Sequence, residues 1–105
     1  MTDFVTVART DEIPAGERAV VQLGREFVVL FNVDGAYYAI EDMCSHEDYE
    51  LSDGELTAYR LECRHHGAAF DIRTGAHLEP PAVRPVRAYD VRVEGDAIQI
   101  ARRKK

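Results

Sequence analysis

Two short segments, Cys44-Ser45-His46 and Cys63-Arg64-His65-His66, constrain this chain more than any other feature. Each offers a sulfur donor beside a nitrogen donor, and sixteen residues separate His46 from Cys63. Thiolate and imidazole are soft and borderline ligands that iron and zinc accept well. Each segment is too short for its own ligands to turn away from one another. A chain that uses both must bring two separate loops to one point. The second segment leaves a choice: His65 repeats the spacing of the first loop, and His66 sits one residue further on.

Spacing alone permits two kinds of centre. One is a tetrahedral zinc site with two cysteine and two histidine ligands, which would be structural. The other is a [2Fe–2S] cluster with both cysteines on one iron and both histidines on the other. Zinc fingers usually pair Cys with Cys and His with His along the chain. Here each loop carries a mixed pair, which suits two metal ions, each taking one ligand from each loop.

The remainder of the chain reads as short strands between turn signals. Phe4–Ala8 is a first strand, and Asp11–Glu17, with Pro14 and Gly16, is a loop. Ala19–Leu23 and Glu26–Val33 flank a Gly24-Arg25 turn. Asp34-Gly35 is a strong hairpin signal, because both central residues of a type I′ turn need positive φ. It leads into Ala36–Glu41. Val86–Val93 and Ala97–Ala101 flank Glu94-Gly95-Asp96, and their alternation has the period of half-buried strands. No segment has the pattern of a long amphipathic helix. An antiparallel β sandwich or small barrel follows. The stretch 42–85 differs, holding three of the four prolines, all four histidines and both cysteines. It reads as a loop-rich, metal-binding insertion, and the 105 residues as one domain, 1–105.

Charge narrows the partners. The net charge is −6, from 13 basic and 19 acidic residues. Nucleic acid binding needs a basic footprint, so it is not expected. The basic run Ala101–Lys105 reads as a solvated end. No apolar run is long enough to span a bilayer. The start MTDFVTVARTDE lacks a basic n-region and an apolar h-region, so a cytoplasmic location is expected. In that compartment a pair of cysteines beside histidines reads as metal ligands rather than a disulfide.

These residues resemble those of a Rieske ferredoxin over nearly the whole chain. The resemblance is carried by Cys44-Ser45-His46, by Leu51-Ser52-Asp53-Gly54, and by the loop from Cys63 to Asp71. Thr74-Gly75 and Glu79-Pro80-Pro81-Ala82 complete it. It implies an all-β Rieske fold with a cluster-binding subdomain at about 42–85 and one [2Fe–2S] cluster. It implies Cys44, His46, Cys63 and His66 as ligands, since the family places the second histidine immediately before the glycine. A third loop, with Pro80 and Pro81, would cover the cluster. His65 is then a neighbour, and His77 an ordinary surface residue.

The implied function is a soluble, monomeric electron carrier rather than an enzyme. It would take electrons from a flavin-dependent reductase and pass them to an acceptor such as an aromatic-ring-hydroxylating, non-haem iron oxygenase. Alternatives are a small subunit of a complex such as assimilatory nitrite reductase, a ferredoxin accompanying iron–sulfur assembly, and a zinc-stabilised binding module. Glu47, Asp48, Glu50 and Asp53 around the first loop would dock a basic partner surface, or form a solvated loop.

The ligand set also bears on potential. With two thiolates and two neutral imidazoles the oxidised core carries no net charge, whereas an all-thiolate core is anionic. The electron is easier to add, which lifts the potential from roughly −400 mV to about −150 to +300 mV. High-potential members have a Ser just after the His-Gly of the second loop and a Tyr two residues later. Here Ala68 and Phe70 stand there, and Tyr49 and His65 stand near the places of an additional disulfide. A potential near the bottom of the range is expected.

Overall fold

The computed structural model describes residues 4–42, 50–63, 68–79 and 85–104. Ten strands follow in chain order: β1 Phe4–Arg9, β2 Arg18–Leu23, β3 Glu26–Val33, β4 Ala36–Glu41, β5 Glu55–Thr57, β6 Arg60–Glu62, β7 Ala69–Asp71, β8 His77–Glu79, β9 Ala88–Glu94 and β10 Ala97–Lys104. A 3₁₀ turn, Thr10–Glu12, is the only helical element among the described residues. The strands form a six-stranded sheet, β1-β10-β9-β4-β3-β2, and a four-stranded sheet, β5-β6-β7-β8. All pairings are antiparallel. The edge strands β1 and β2 approach each other, so the larger sheet curls toward a barrel.

The β3–β4 hairpin turns as its sequence demands. Asp34 and Gly35 have φ of 55° and 92°, the two positive values of a type I′ turn. The Asn32 carboxamide oxygen accepts the Gly35 N–H at 2.8 Å, and its Nδ2 donates to the Ile13 carbonyl at 2.8 Å. Glu26–Val33 is nearly continuous in apolar residues rather than alternating, because β3 is buried on both faces. Val28 and Leu30 point into the barrel with Ile98, Ile100 and Tyr89. Val29 and Phe31 point the other way, into a second core with Leu61, Phe70 and Ile72 beneath the small sheet. β4 divides likewise, with Ala39 in the first core and Ile40 in the second.

The structure departs from the sequence expectations in three places. The stretch 42–85 is not only loops: four three-residue strands build its own sheet. Strands this short show no readable period. The β5–β6 turn uses Ala58 at φ 56°, so no glycine or asparagine marks it. Strand β9 begins at Ala88 rather than Val86. The Val86 N–H is taken by the Gly75 carbonyl at 2.9 Å, and the Arg87 N–H by Glu41 Oε1 at 2.7 Å. Finally, β10 runs on to Lys104, which pairs with Tyr89 after a register shift, so the backbone of the basic run is strand up to that point.

Candidate metal centre

Cys63 is the expected ligand that falls among the described residues. It follows directly on β6, which feeds its backbone into the second core, and it is 1% exposed. Its thiol is in no disulfide. Its N–H donates to the Ala68 carbonyl at 2.7 Å, closing the loop between them at its base. Cys44, His46 and His66 lie outside the described residues, as do Glu47, Asp48, Tyr49, His65, Pro80 and Pro81.

The described flanks of the three loops converge nonetheless. Leu51 ends the first loop, Cys63 and Ala68 bracket the second, and Val86 follows the third. All four belong to one buried cluster with Phe70, Ile72 and Ala88. This buried cluster is where the described bases of these separate loops meet. A buried thiol in apolar surroundings has little solvation for its anion. A metal ion bound there would supply the missing countercharge. The buried Cys63 thiol fits one thiolate position of a mixed-ligand [2Fe–2S] centre.

The return strand is tied to the entry strand just below this point. The Glu41 N–H donates to the Arg87 carbonyl at 2.9 Å, and the Asp42 N–H to the Phe27 carbonyl at 2.9 Å. Glu26 takes both the Arg87 guanidinium and the Tyr89 hydroxyl. Burial, reinforced by Glu26, holds the Tyr89 phenol well above its ordinary pKa. Glu50 and Asp53 are exposed beside the end of the first loop, and His77 is exposed on β8. No described helix is long and apolar enough to cross a membrane.

The turn after β7 carries a second charged feature. Asp71 takes the Arg73 guanidinium through both carboxylate oxygens, at 3.1 and 2.8 Å, and accepts the Arg73 N–H at 2.9 Å. The guanidinium also lies 4.3 Å from the centre of the Tyr59 ring. The Arg73 hydrogen bond lowers the Asp71 pKa, overcoming the opposing effect of burial. A depressed carboxylate pKa stabilises the fold above the unfolded value, and this is lost as pH falls through the folded one. Stability is expected to decline below the ordinary Asp range, and Asp71→Asn to flatten part of that decline. Denaturant midpoints measured from about pH 5 down to about pH 2 check it.

A family model described as the Rieske [2Fe–2S] domain matches residues 3–90. The ferredoxin component of a p-cumate 2,3-dioxygenase system from Pseudomonas putida is 39% identical over 100 residues, covering 93% of this chain and 85% of that protein. Among solved structures, the ferredoxin of carbazole 1,9a-dioxygenase from Nocardioides aromaticivorans IC177 matches with a TM-score of 0.88 at 37% identity, over 93% of this chain and 96% of that one. A chain from a complex of reduced oxygenase and oxidized ferredoxin in carbazole 1,9a-dioxygenase matches with a TM-score of 0.89 at 29% identity, over 97% and 95%.

Proposed function

Because the chain belongs to the Rieske [2Fe–2S] domain family, we propose that it carries single electrons from a flavin-dependent reductase to an aromatic-ring-hydroxylating, non-haem iron oxygenase. The observation that carries this reading is the meeting of three loop bases around the buried Cys63, in a chain otherwise spent on scaffold. One [2Fe–2S] cluster is its cofactor, with Cys44 and Cys63 on one iron and His46 and His66 on the other. Bound there, such a cluster would supply one-electron chemistry. The protein's own residues bury the cysteine side, hold the loops and present the acidic rim of Glu50 and Asp53 to a basic partner. The related ferredoxin in complex with an oxygenase supports the choice of acceptor. Residues 1–105 act as one domain and a monomer in the cytoplasm, a carrier rather than an enzyme in its own right.

The test is direct transfer. Reduced protein mixed anaerobically with an oxidised ring-hydroxylating oxygenase should be reoxidised as the oxygenase centre is reduced. Failure with several such oxygenases, despite an intact cluster, would remove the proposed acceptor. A featureless spectrum after dithionite, with zinc bound, would remove the redox role itself.

The buried neighbours of Cys63 bear on the potential. Ala68 and Phe70 are fully buried in the same cluster and bring no hydroxyl to it. Hydrogen bonds to cluster sulfur stabilise the reduced state, so their absence leaves the potential low. A value near −150 mV is expected, about the bottom of the Rieske range. Ala68→Ser should raise it. Protein-film voltammetry reads both, and a wild-type value above about +100 mV would contradict the assignment.

A further inference from the structure

Asp42 is buried, 7% exposed, at the point where the chain leaves β4 for the first loop. Its Oδ1 accepts the N–H of Leu51 at 2.9 Å and that of Ser52 at 2.6 Å. Those two residues lie at the far end of the same loop. One carboxylate oxygen therefore draws together the two ends of the segment that carries Cys44 and His46. Arg18 of β2 reaches the same turn from the barrel. Its Nη1 donates to the carbonyl oxygens of Ser52 at 3.1 Å and Gly54 at 2.7 Å. Its guanidinium also lies 4.9 Å from the centre of the Phe31 ring. Burial lowers its pKa, opposed by Asp53 nearby. Ser52 is thus gripped at both ends of its backbone, the N–H by an anion and the C=O by a cation. Leu51, the first residue of the turn, is fully buried in the cluster that holds Cys63.

We infer that Asp42 and Arg18 are positioning residues for the metal centre, clamping the turn 51–54 to the end of β4 so that the base of the first loop is held in the buried cluster that contains Cys63. The inference rests on the ligand assignment of the preceding section. Its physical basis is loop closure. A loop of this length loses entropy when its ends are brought together. A clamp that makes this closure part of the folded protein leaves less to be ordered when the metal is bound. Hydrogen bonds to ionised groups are about twice as strong as neutral ones, which favours charged side chains for the task.

The test uses the full-length, cluster-loaded protein. Iron release to a chelator and the EPR g-values of the dithionite-reduced state are measured for Asp42→Ala, Asp42→Asn, Arg18→Met and Ile98→Val. Asp42→Ala and Arg18→Met are expected to release iron about tenfold faster or more, as loss of ligand-orienting partners does elsewhere. Their g-values should shift or broaden. Asp42→Asn keeps an oxygen acceptor without the charge and should recover part of the loss. Ile98→Val thins the barrel interior and should leave the g-values unchanged.

Wild-type release and g-values in Asp42→Ala and Arg18→Met would overturn the inference. So would equal effects from Ile98→Val, which would mean stability alone is being read. If Asp42→Ala does not accumulate folded, Arg18→Met decides by the same criteria. Failure of the ligand assignment looks different: Cys44→Ser or His46→Ala would then keep full iron content and wild-type g-values.

Discussion

Cys63→Ser is expected to yield protein with almost no iron, no visible cluster absorbance and no electron transfer. The side chain is 1% exposed and surrounded by Leu51, Leu61, Phe70 and Val86. Water has no ready access to take its place as a ligand. The serine oxygen is a harder, more basic donor than thiolate and matches iron poorly in this setting. Burying its hydroxyl without a partner would add about 1–3 kcal/mol of destabilisation. Iron and sulfide analysis with EPR of the reduced sample settles the outcome. A full cluster with the wild-type signal would show that Cys63 is a packing residue and no ligand.

The second large effect is expected from one methyl group at Gly75. This residue has φ +81°, and an added Cβ would collide with the Val86 carbonyl oxygen. The same pair is joined by the Val86 N–H to the Gly75 carbonyl at 2.9 Å. Relief of the clash must push away the segment that returns from the third loop. The Gly75 N–H bond to the Asp71 carbonyl at 2.7 Å limits movement on the other side. Gly75→Ala is therefore expected to cost about 3 kcal/mol or more, combining a left-handed backbone with a steric clash. Gly95→Ala is the control: φ there is +62°, but nothing lies within 4 Å of the added atom. Its cost should be about 1 kcal/mol. Urea unfolding of the two variants separates them, and equal losses would mean that the approach to Val86 is easily relieved.

The barrel was readable because its strands are long enough for their pattern to matter. Glu26–Val33 and Ala36–Glu41 have the expected bounds, and Asp34-Gly35 identified the turn between them. The small sheet was not readable. Leu61 is the one buried residue of β6, and β7 buries the adjacent pair Ala69 and Phe70, so neither three-residue strand shows alternation. Of the expected ligands Cys63 lies among the described residues and is buried in the second core, and His77 is exposed, as an ordinary surface residue would be. Asp42 and Arg18 escaped notice because their partners are backbone groups distant in sequence, a relation that exists only after folding. A weak signal was present: aspartate commonly accepts nearby backbone N–H groups, and Asp42 stands two residues before Cys44.

Strands β3 and β4 belong to both cores at once, and this governs how the molecule comes apart. Withdrawing the second core would uncover Val29, Phe31 and Ile40 on strands whose opposite faces still line the barrel. Withdrawing the barrel would strip Val28, Leu30 and Ala39 from the same backbone. Neither half has an independent wall to retreat to. Local opening of the part that carries Cys63 is correspondingly expensive, and the low-energy partial unfolding available to loosely attached segments is closed off. Unfolding is therefore expected to be a single cooperative transition in which both cores are lost together.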